Sequence, residues 1–235
     1  GLRQRYGDAA LEKLRENPYL LSGDGCGVAF SVADEIAMSM GFQPDSGLRL
    51  QAAVAFELSH NENNGHVFLP REKLVAATAQ LLQCGEEGPE LALDELIGRG
   101  LVIQERVANV DACYLRRLWE AEHSAQKRME ALLAAKPESR VSAARTVDEL
   151  EQAQGITYAP QQRKAVELAA KENVLILTGG PGTGKTTAVR AIVALFRKMG
   201  LDTVLAAPTG RAAKRMSELT GMEAQTVHRL LGMSW

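Results

Sequence analysis

Residues 179–186 limit the possible folds of this chain more than any other stretch of its sequence. They read Gly-Gly-Pro-Gly-Thr-Gly-Lys-Thr and match the phosphate-loop pattern G-x-x-x-x-G-K-[ST] at every fixed position. The run at 174–178 before them is apolar and partly β-branched, which is typical of a buried parallel strand. Apolar residues follow the loop at helical spacing, at Val189, Ile192, Val193 and Phe196. The pattern predicts a strand, a loop and a helix that begins at the loop.

A loop of this kind is a candidate site for the phosphates of ATP and for the Mg²⁺ that accompanies them. Its glycines let backbone N–H groups face the phosphates, and the helix N-terminus adds partial positive charge. We expect Lys185 to neutralise β- and γ-phosphate oxygens and Thr186 to ligate Mg²⁺, so these two are the candidate catalytic residues. A glycine-rich turn that happens to precede a lysine is the alternative explanation.

A glutamine upstream of the loop is a candidate contact for the nucleotide base. Residues 158–166 predict the start of a helix, and Gln162 there could use both its amide donor and its acceptor on an adenine edge. The alternative is a surface glutamine near a helix start. The candidate nucleotide-binding residues are therefore Gln162, Gly179, Gly180, Pro181, Gly182, Thr183, Gly184, Lys185, Thr186 and Thr187.

Composition and charge narrow the class of protein. The 235 residues contain no apolar run long enough to span a bilayer and no signal-peptide core, so we expect a cytoplasmic protein without a membrane partner. Cys26, Cys84 and Cys113 are widely separated, which indicates reduced, structural thiols. Residues 151–235 contain 11 Lys and Arg against 6 Asp and Glu, and residues 1–150 contain 16 against 23. The basic half suits nucleotide and nucleic acid, although the same charges could form a solvated surface.

The N-terminal region reads as short helices around a glycine-containing hairpin. Helices are predicted at 8–17 and, with Ser31 as its N-cap, at 31–41. The hairpin between them contains Gly25 and Gly27, and its exposed N–H groups could hold a DNA phosphate without reading bases. An ordinary helical hairpin, whose glycines serve only the turn, fits the spacing equally well.

The next elements predict a small winged-helix-like unit. Its acidic balance favours packing against a neighbouring domain over DNA binding. A predicted helix at 48–59 precedes the unit. Within the unit, in chain order, we predict a strand at 66–69, helices at 71–82 and 90–97, hairpin arms at 101–103 and 113–115, and a charged helix at 118–135.

A second strand and a basic loop follow the phosphate-loop helix. Residues 203–207 predict a strand parallel to that at 174–178, which would bring the carboxyl ends of both strands to one edge of the sheet. The residues directly after it suit a phosphodiester backbone, through Pro208, Thr209, Gly210 and Arg211. A solvated helix face carrying Arg211, Lys214 and Arg215 is the alternative.

Three of these segments together resemble the RecD/TraA family of superfamily 1 DNA helicases. They are the Gln162 segment, the loop at 179–187 and the Ala-Pro-Thr-Gly-Arg-Ala-Ala run at 207–213, with Thr-Val-His-Arg-Leu-Leu at 226–231 beyond. The N-terminal half is similar to long-form RecD-like proteins at residues 17–19, 27–30, 33–34, 65–70 and 120–122. That family's hairpin usually reads Gly-Ile-Gly-Phe. Here Ala29 replaces the second glycine, which would be strained if the position needs a positive φ.

The resemblance implies an ATP-dependent 5′-to-3′ DNA helicase of repair and recombination, with ATP and Mg²⁺ as cofactors. Its expected partner is single-stranded or 5′-tailed duplex DNA. Gln162 would recognise adenine. From the residues alone, His228 reads as a structural histidine. The resemblance instead implies a role in DNA binding for Pro208, Thr209, Gly210, Arg211, Thr226 and His228, together with the hairpin residues Gly25 and Gly27.

The predicted fold class is α+β with several domains. Helical helix-hairpin-helix and winged-helix-like units precede the start of a RecA-like P-loop α/β domain. The predicted bounds are 1–65 for the helix-hairpin-helix region, 66–135 for the winged-helix-like unit, 136–157 for a linker and 158–235 for the truncated ATP-binding helicase domain.

The sequence begins without Met and stops soon after the phosphate loop, so we expect a piece of a longer protein. No Asp-Glu pair follows an apolar strand after residue 187, so we expect neither unwinding nor efficient ATP hydrolysis by the 235 residues alone. Two other functions stay open: a non-enzymatic DNA-binding adaptor, and another P-loop enzyme such as a nucleotide kinase or a recombination ATPase.

Overall fold

A computed structural model of the chain describes residues 2–23, 26–135, 143–180 and 182–233. The chain forms two compact units, Gly1–Ala125 and Gln126–Trp235. Two predicted site residues, Gly25 and Pro181, lie outside the described residues, as does the predicted helix break at 136–139.

The first unit begins with short helical elements. Residues 8–17 do not form one helix, because a 3₁₀ turn at Gly7–Ala9 separates two short ones. The second of these helices ends before Asn17-Pro18, as predicted. The side chain of Asn17 accepts the N–H of Tyr19 at 3.1 Å. The elements are α1 (Leu2–Tyr6), α2 (Ala10–Glu16), a 3₁₀ turn (Pro18–Leu21), α3 (Phe30–Ser39) and α4 (Gly47–Glu62).

The start of α3 differs from the predicted one. The last extended residue before the helix is Ala29, with φ −61° and ψ 145°. Its carbonyl oxygen accepts the N–H groups of Val32 and Ala33 at 3.1 and 3.2 Å. The prediction that Ser31 caps this helix is therefore wrong, because the chain is already helical at Phe30 and Ser31 lies inside the first turn.

A three-stranded antiparallel sheet with two helices completes the first unit. The predicted strand at 66–69 is shorter and later than expected, since only Leu69–Pro70 pairs with the sheet. The predicted hairpin is confirmed, and Ala108 and Asn109 turn it with positive φ angles of 46° and 70°. The elements are β1 (Leu69–Pro70), α5 (Arg71–Leu82), α6 (Glu87–Gly98), β2 (Val102–Val107), β3 (Val110–Leu115) and the start of α7 (Arg116–Ala134). The strand order is β1-β3-β2.

Helix α4 supplies side chains to both cores of this unit. Val54 and Leu58 pack with buried residues of α5, α6 and the sheet, whereas Ala53 packs with Tyr19 and Phe30. Consecutive residues 53 and 54 therefore face different cores. Because α4 packs into both cores, it connects the predicted region 1–65 with the predicted region 66–135.

All three cysteines are free thiols in this structure. Cys113 is fully buried in β3, and burial raises the pKa of its thiol to about 11. Cys84 is exposed and Cys26 is partly exposed.

The second unit contains, besides the end of α7, five helices and one parallel pair of strands in its described residues. Its elements are α8 (Ala143–Gln154), α9 (Pro160–Ala169), α10 (Lys185–Lys198), β4 (Leu205–Ala207), α11 (Gly210–Thr220), β5 (Ala224–Thr226) and α12 (Val227–Leu230). Helix α8 lies inside the predicted linker 136–157. Its Val147 and Leu150 are buried with Tyr158 and Val166, so this segment contributes to the core of the unit.

The strands of the second unit differ most from the prediction. The strand predicted at 174–178 does not form, and Ile176 within it is 81% exposed. The strand predicted at 203–207 is reduced to Leu205–Ala207, which pairs in parallel with Ala224–Thr226. A parallel strand needs a hydrogen-bonded neighbour and cover on both faces, and no described segment pairs with 174–178. The crossover that does form runs from β4 through α11 to β5.

The predicted fold class is confirmed at the level of its parts: helical units come first and a P-loop α/β region follows. Within the described residues, no helix has both the length and the apolar composition that a bilayer crossing requires.

Candidate nucleotide and DNA site

The phosphate loop reaches α10 through glycines at positive φ. Gly182 and Gly184 have φ angles of 78° and 77°, which L side chains rarely adopt. Gly184 is the N-cap of α10, and its carbonyl oxygen accepts the N–H of Ala188 at 3.2 Å. The helix therefore begins directly at Lys185, and its first N–H groups face the loop, as anion binding requires.

Lys185 lies against the loop that precedes it. Its ammonium donates to the carbonyl oxygen of Gly179 and, at 2.6 Å, to that of Gly180. The hydroxyl of Thr183 also donates to Gly180, at 2.9 Å. Thr186 and Thr187 follow in the first turn of α10, and both residues are exposed. The structure thus brings Lys185 and the loop together and leaves the Thr186 hydroxyl accessible.

Gln162 contacts the loop across 22 residues of sequence. Its Nε2 donates to the carbonyl oxygen of Gly184 at 3.3 Å, and its Oε1 accepts the N–H of Ala159 at 3.0 Å. Each end of the amide retains capacity, because Nε2 has a second N–H and Oε1 a second lone pair. Gln162 is thus both a helix-start residue and a neighbour of the phosphate loop.

We expect Gly184→Ala to lower the free energy of unfolding by about 1–2 kcal/mol, because alanine is strained at a φ of 77°. Its Cβ would also collide with Gln162 Nε2 and would displace the amide. Denaturant unfolding followed by circular dichroism measures the effect. Gly180→Ala is the matched control, because nothing lies within 4 Å of its added Cβ. Equal stabilities of the two variants would contradict this account.

One groove of the second unit connects the phosphate-loop helix with α11. Its lining side chains are apolar, hydroxyl-bearing or basic. They come from Leu177, Lys185, Thr186, Val189, Ala212, Arg215, Met216, Leu219 and Thr220. The groove places the two predicted phosphate-binding side chains beside the helix that carries the predicted DNA-binding cations.

The predicted DNA-binding residues gather where β4 and β5 end. Ala207 pairs with Thr226 in parallel register, so the segments after both strands leave the same edge. Thr209 caps α11 by accepting the N–H of Ala212 at 3.3 Å, and Thr226 caps α12 by accepting that of Arg229 at 3.2 Å. The structure therefore brings together Pro208, Thr209, Gly210, Arg211, Thr226 and His228, of which the first four are exposed.

The cations of α11 are available to a ligand. Arg211, Lys214 and Arg215 carry no ion pair within the described part of the chain, and all three are exposed. Elsewhere in this unit, Arg163 and Lys198 do pair with carboxylates. Three unpaired cations on one short helix produce a local positive potential that suits a phosphate backbone.

The N-terminal hairpin is built without strain at Ala29. Gly27 has a φ of 70°, whereas Ala29 has a φ of −61°. The strain expected from alanine in place of glycine is therefore absent, because Ala29 is an ordinary extended residue. Gly27 is exposed and belongs to the first unit, whereas the residues that gather after β4 and β5 belong to the second.

A charged cluster fixes both flanks of this hairpin. The Arg49 guanidinium donates to both carboxylate oxygens of Asp34, at 2.8 and 2.9 Å, and the Tyr19 hydroxyl donates to one of them at 2.8 Å. The hydrogen bonds from Arg49 hold the pKa of Asp34 below its ordinary value, and Tyr19 adds to this effect. The cluster ties the 3₁₀ turn before the hairpin and α3 after it to α4.

Sequence reasoning missed the part of α8 that borders the site. Arg163, next to Gln162, pairs with Asp148 and Glu151 of this helix. The apolar spacing of Val147 and Leu150 was the available signal for an amphipathic helix there. No sequence signal identified the partner of Arg163.

Comparison of the sequence with known proteins identifies the family to which the chain is related. Residues 1–68 match the profile described as the ATP-dependent RecD2 DNA helicase HHH domain, and residues 162–235 match that of an AAA domain. The ATP-dependent RecD2 DNA helicase of Deinococcus radiodurans is 30% identical over 97% of this chain and 33% of its own length. The chain is a relative of the RecD-like DNA helicases.

Two other relatives agree with this result. The RecBCD enzyme subunit RecD of Mycolicibacterium smegmatis is 31% identical over 81% of this chain and 37% of its own length. The ATP-dependent DNA helicase dda of Enterobacteria phage T4 is 44% identical over 26% of this chain and 14% of its own length. The RecD-like chain thus spans about a third of the length of the relatives that it matches most fully.

Proposed function

We propose that this RecD-like chain supplies the ATP-phosphate site and part of the DNA-binding surface of an ATP-dependent 5′-to-3′ DNA helicase of repair or recombination. The observation that carries the proposal is Lys185 at the start of α10, bonded to its own glycine loop. The names of the relatives support the helicase activity, and the polarity rests on the resemblance to the family alone.

The chemical groups of the loop suit a nucleoside triphosphate with Mg²⁺. The loop offers one ammonium, one accessible hydroxyl and the free N–H groups of a helix start, which suit an anion. Lys185 would exchange the carbonyl oxygens of Gly179 and Gly180 for phosphate oxygens. Bound Mg²⁺ would neutralise phosphate charge, with Thr186 as its ligand from this chain.

Gln162 suits the edge of adenine. Adenine presents an N–H₂ donor beside the N7 acceptor, whereas guanine presents two acceptors. The free N–H of Nε2 and the free lone pair of Oε1 complement adenine, and Oε1 would face an acceptor on guanine. The hydrogen bonds to Ala159 and Gly184 fix the orientation of the amide, with Oε1 toward Ala159 and Nε2 toward Gly184. A preference for adenine would therefore need no rearrangement of Gln162.

The edge formed after β4 and β5 suits single-stranded DNA. Exposed backbone N–H groups, two threonines and the cations of α11 lie at one edge, and this set contacts phosphates without reading bases. The N-terminal hairpin would add a second phosphate contact at Gly27. ATP and DNA as ligands would place the protein in the cytoplasm.

We expect the 235 residues to bind ATP and to hydrolyse it slowly. In phosphoryl transfer to water, a side chain orients the attacking water and an acidic residue helps to hold the metal. The groove beside Lys185 and Thr186 is lined by apolar, hydroxyl and basic groups, so such residues would have to come from elsewhere. Fast, DNA-stimulated release of phosphate by this chain would contradict the expectation.

Fluorescence anisotropy of a labelled oligonucleotide tests the DNA-binding surface. We expect Arg211→Ala/Lys214→Ala to weaken binding of single-stranded DNA about tenfold and to reduce the salt slope by about 0.7 for each phosphate that is no longer neutralised. Lys164→Ala/Lys171→Ala removes the same charge from exposed positions away from this edge and is the control. If the two double variants bind alike, net charge alone explains the affinity and the proposed surface is wrong.

Two further outcomes separate the proposal from its alternative. DNA binding that ignores both ATP and the loss of Lys185 would favour a non-enzymatic adaptor. In a longer protein that contains this chain, 5′-tailed duplexes should be unwound faster than 3′-tailed ones, and equal rates would refute the polarity.

A further inference from the structure

Helix α8 packs directly against the two helices that carry the nucleotide site. Val147 and Leu150 are 0% and 4% exposed, and they share a core with Tyr158, Val166 of α9 and Leu195 of α10. An ion pair also links the helices, since Lys198 of α10 contacts Glu149 at 3.0 Å. A shift of α8 would therefore be transmitted to the segments on both sides of Gln162.

One carboxylate of α8 spans the turn that leads into α9. Glu151 Oε1 accepts the N–H of Tyr158 at 2.8 Å, and its Oε2 accepts an N–H of Arg163 at 3.2 Å. The side chain of Glu151 is 17% exposed and that of Arg163 33%, so these bonds are partly buried. The two contacts lie on either side of Gln162 in the sequence and hold the start of α9 at two points.

The Arg163 guanidinium is fixed from more than one direction. Besides Glu151, it contacts Asp148 of α8 at 2.5 Å and Glu167, one turn further along α9, at 3.3 Å. An arginine held by several carboxylates loses rotational freedom, which orders the backbone that carries it. That backbone includes Gln162, the preceding residue, whose amide bridges Ala159 and Gly184.

We propose that Glu151 is a positioning residue for Gln162, which acts through Tyr158 and Arg163 and sets the preference of the site for adenine over guanine nucleotides. Discrimination depends on the direction in which the amide donor and acceptor point, because a rotated or mobile amide can donate to either base. Binding of the phosphates depends on Lys185 and the loop, which lie apart from the hydrogen bonds that Glu151 makes. The inference rests on the proposed role of Gln162 at the base.

The experiment compares the affinities of the whole chain for mant-ATP, mant-GTP and inorganic tripolyphosphate. We expect Glu151→Ala to reduce the ratio of ATP to GTP affinity about fivefold and to change the affinity for tripolyphosphate less than twofold. Glu151→Gln, which keeps an oxygen for Tyr158 but loses the charge beside Arg163, should give an intermediate ratio. Glu149→Ala, on the same helix and paired with Lys198, should keep the ratio of the unmodified chain.

Gln162→Ala distinguishes the possible failures. If it reduces the ratio and Glu151→Ala does not, the positioning role is wrong and the base contact stands. If Gln162→Ala leaves the ratio unchanged, or the unmodified chain binds both nucleotides equally, the base contact fails and the inference falls with it. Equal losses for both nucleotides and tripolyphosphate would show that Glu151 only stabilises the fold. If Glu151→Ala does not fold by circular dichroism, Glu151→Gln decides, and an unchanged ratio overturns the proposal.

Discussion

Lys185→Ala is expected to weaken ATP binding at least tenfold while the chain stays folded. The variant removes the cation that would neutralise phosphate oxygens, an interaction in which a charged hydrogen bond contributes about 1.5–3 kcal/mol. Its present partners, the carbonyl oxygens of Gly179 and Gly180, lie in an exposed loop and can bond water instead. Isothermal titration calorimetry measures the affinity, and thermal unfolding checks the fold.

Lys198→Ala is the matched control for this experiment. Lys198 lies at the other end of α10, where it pairs with Glu149 on the surface. The variant removes the same charge from the same helix, so its ATP affinity should stay within about twofold, as expected for a distant and screened charge. An equal loss in both variants would mean that the overall charge of α10, rather than the loop lysine, governs binding.

Asp34→Ala is expected to lower the free energy of unfolding of the first unit by about 2–3 kcal/mol, because it leaves the Arg49 guanidinium largely buried without its carboxylate. The side chains of Asp34 and Arg49 are 17% and 15% exposed, so water replaces the missing bonds poorly. Tyr19 loses its acceptor as well. Urea unfolding measures the change. Glu35→Ala, on the exposed side of the same helix, is the control and should cost less than about 0.5 kcal/mol.

The same cluster predicts how stability changes with pH. The pKa of Asp34 is lower in the folded chain than in the unfolded chain, so its contribution is complete above a pH of about 4, the ordinary aspartate pKa. The contribution is lost as the pH falls from there through the folded pKa. The difference in stability between the unmodified chain and Asp34→Ala should shrink in that window. A difference that stays constant as the pH falls would contradict this explanation.

The local elements of the first unit were largely predictable from sequence. The helix at 71–82 has the predicted bounds, because apolar spacing acts over a few positions. The hairpin of β2 and β3 forms where it was predicted, but each arm extends three or four residues further toward the turn than expected. The predicted N-cap of α3, Ser31, was wrong by two positions. The residue with an extended backbone before the helix is Ala29. Cap positions depend on backbone angles that composition specifies only loosely.

Pairings over long sequence distances were not predictable. The strand expected at 174–178 has suitable residues but no partner among the described segments, and β5 pairs with β4 although Ala-Gln-Thr has no strong strand signal. The predicted linker contains α8, whose buried face became evident only against α9 and α10. The propensity of a segment to form a strand or a linker is a weak guide where neighbours decide.

By itself, the sequence determined the phosphate loop, because glycine is the residue that tolerates the positive φ angles at positions 182 and 184, directly before Lys185 at the start of α10. The sequence also revealed the relationship to RecD-like helicases, because the motifs that carry it are short and continuous in the chain. Only the tertiary structure decided that Gln162 contacts Gly184 and that Glu151 holds the turn before it. Those contacts join residues far apart in the chain, and their distances and directions depend on how three helices pack around one core.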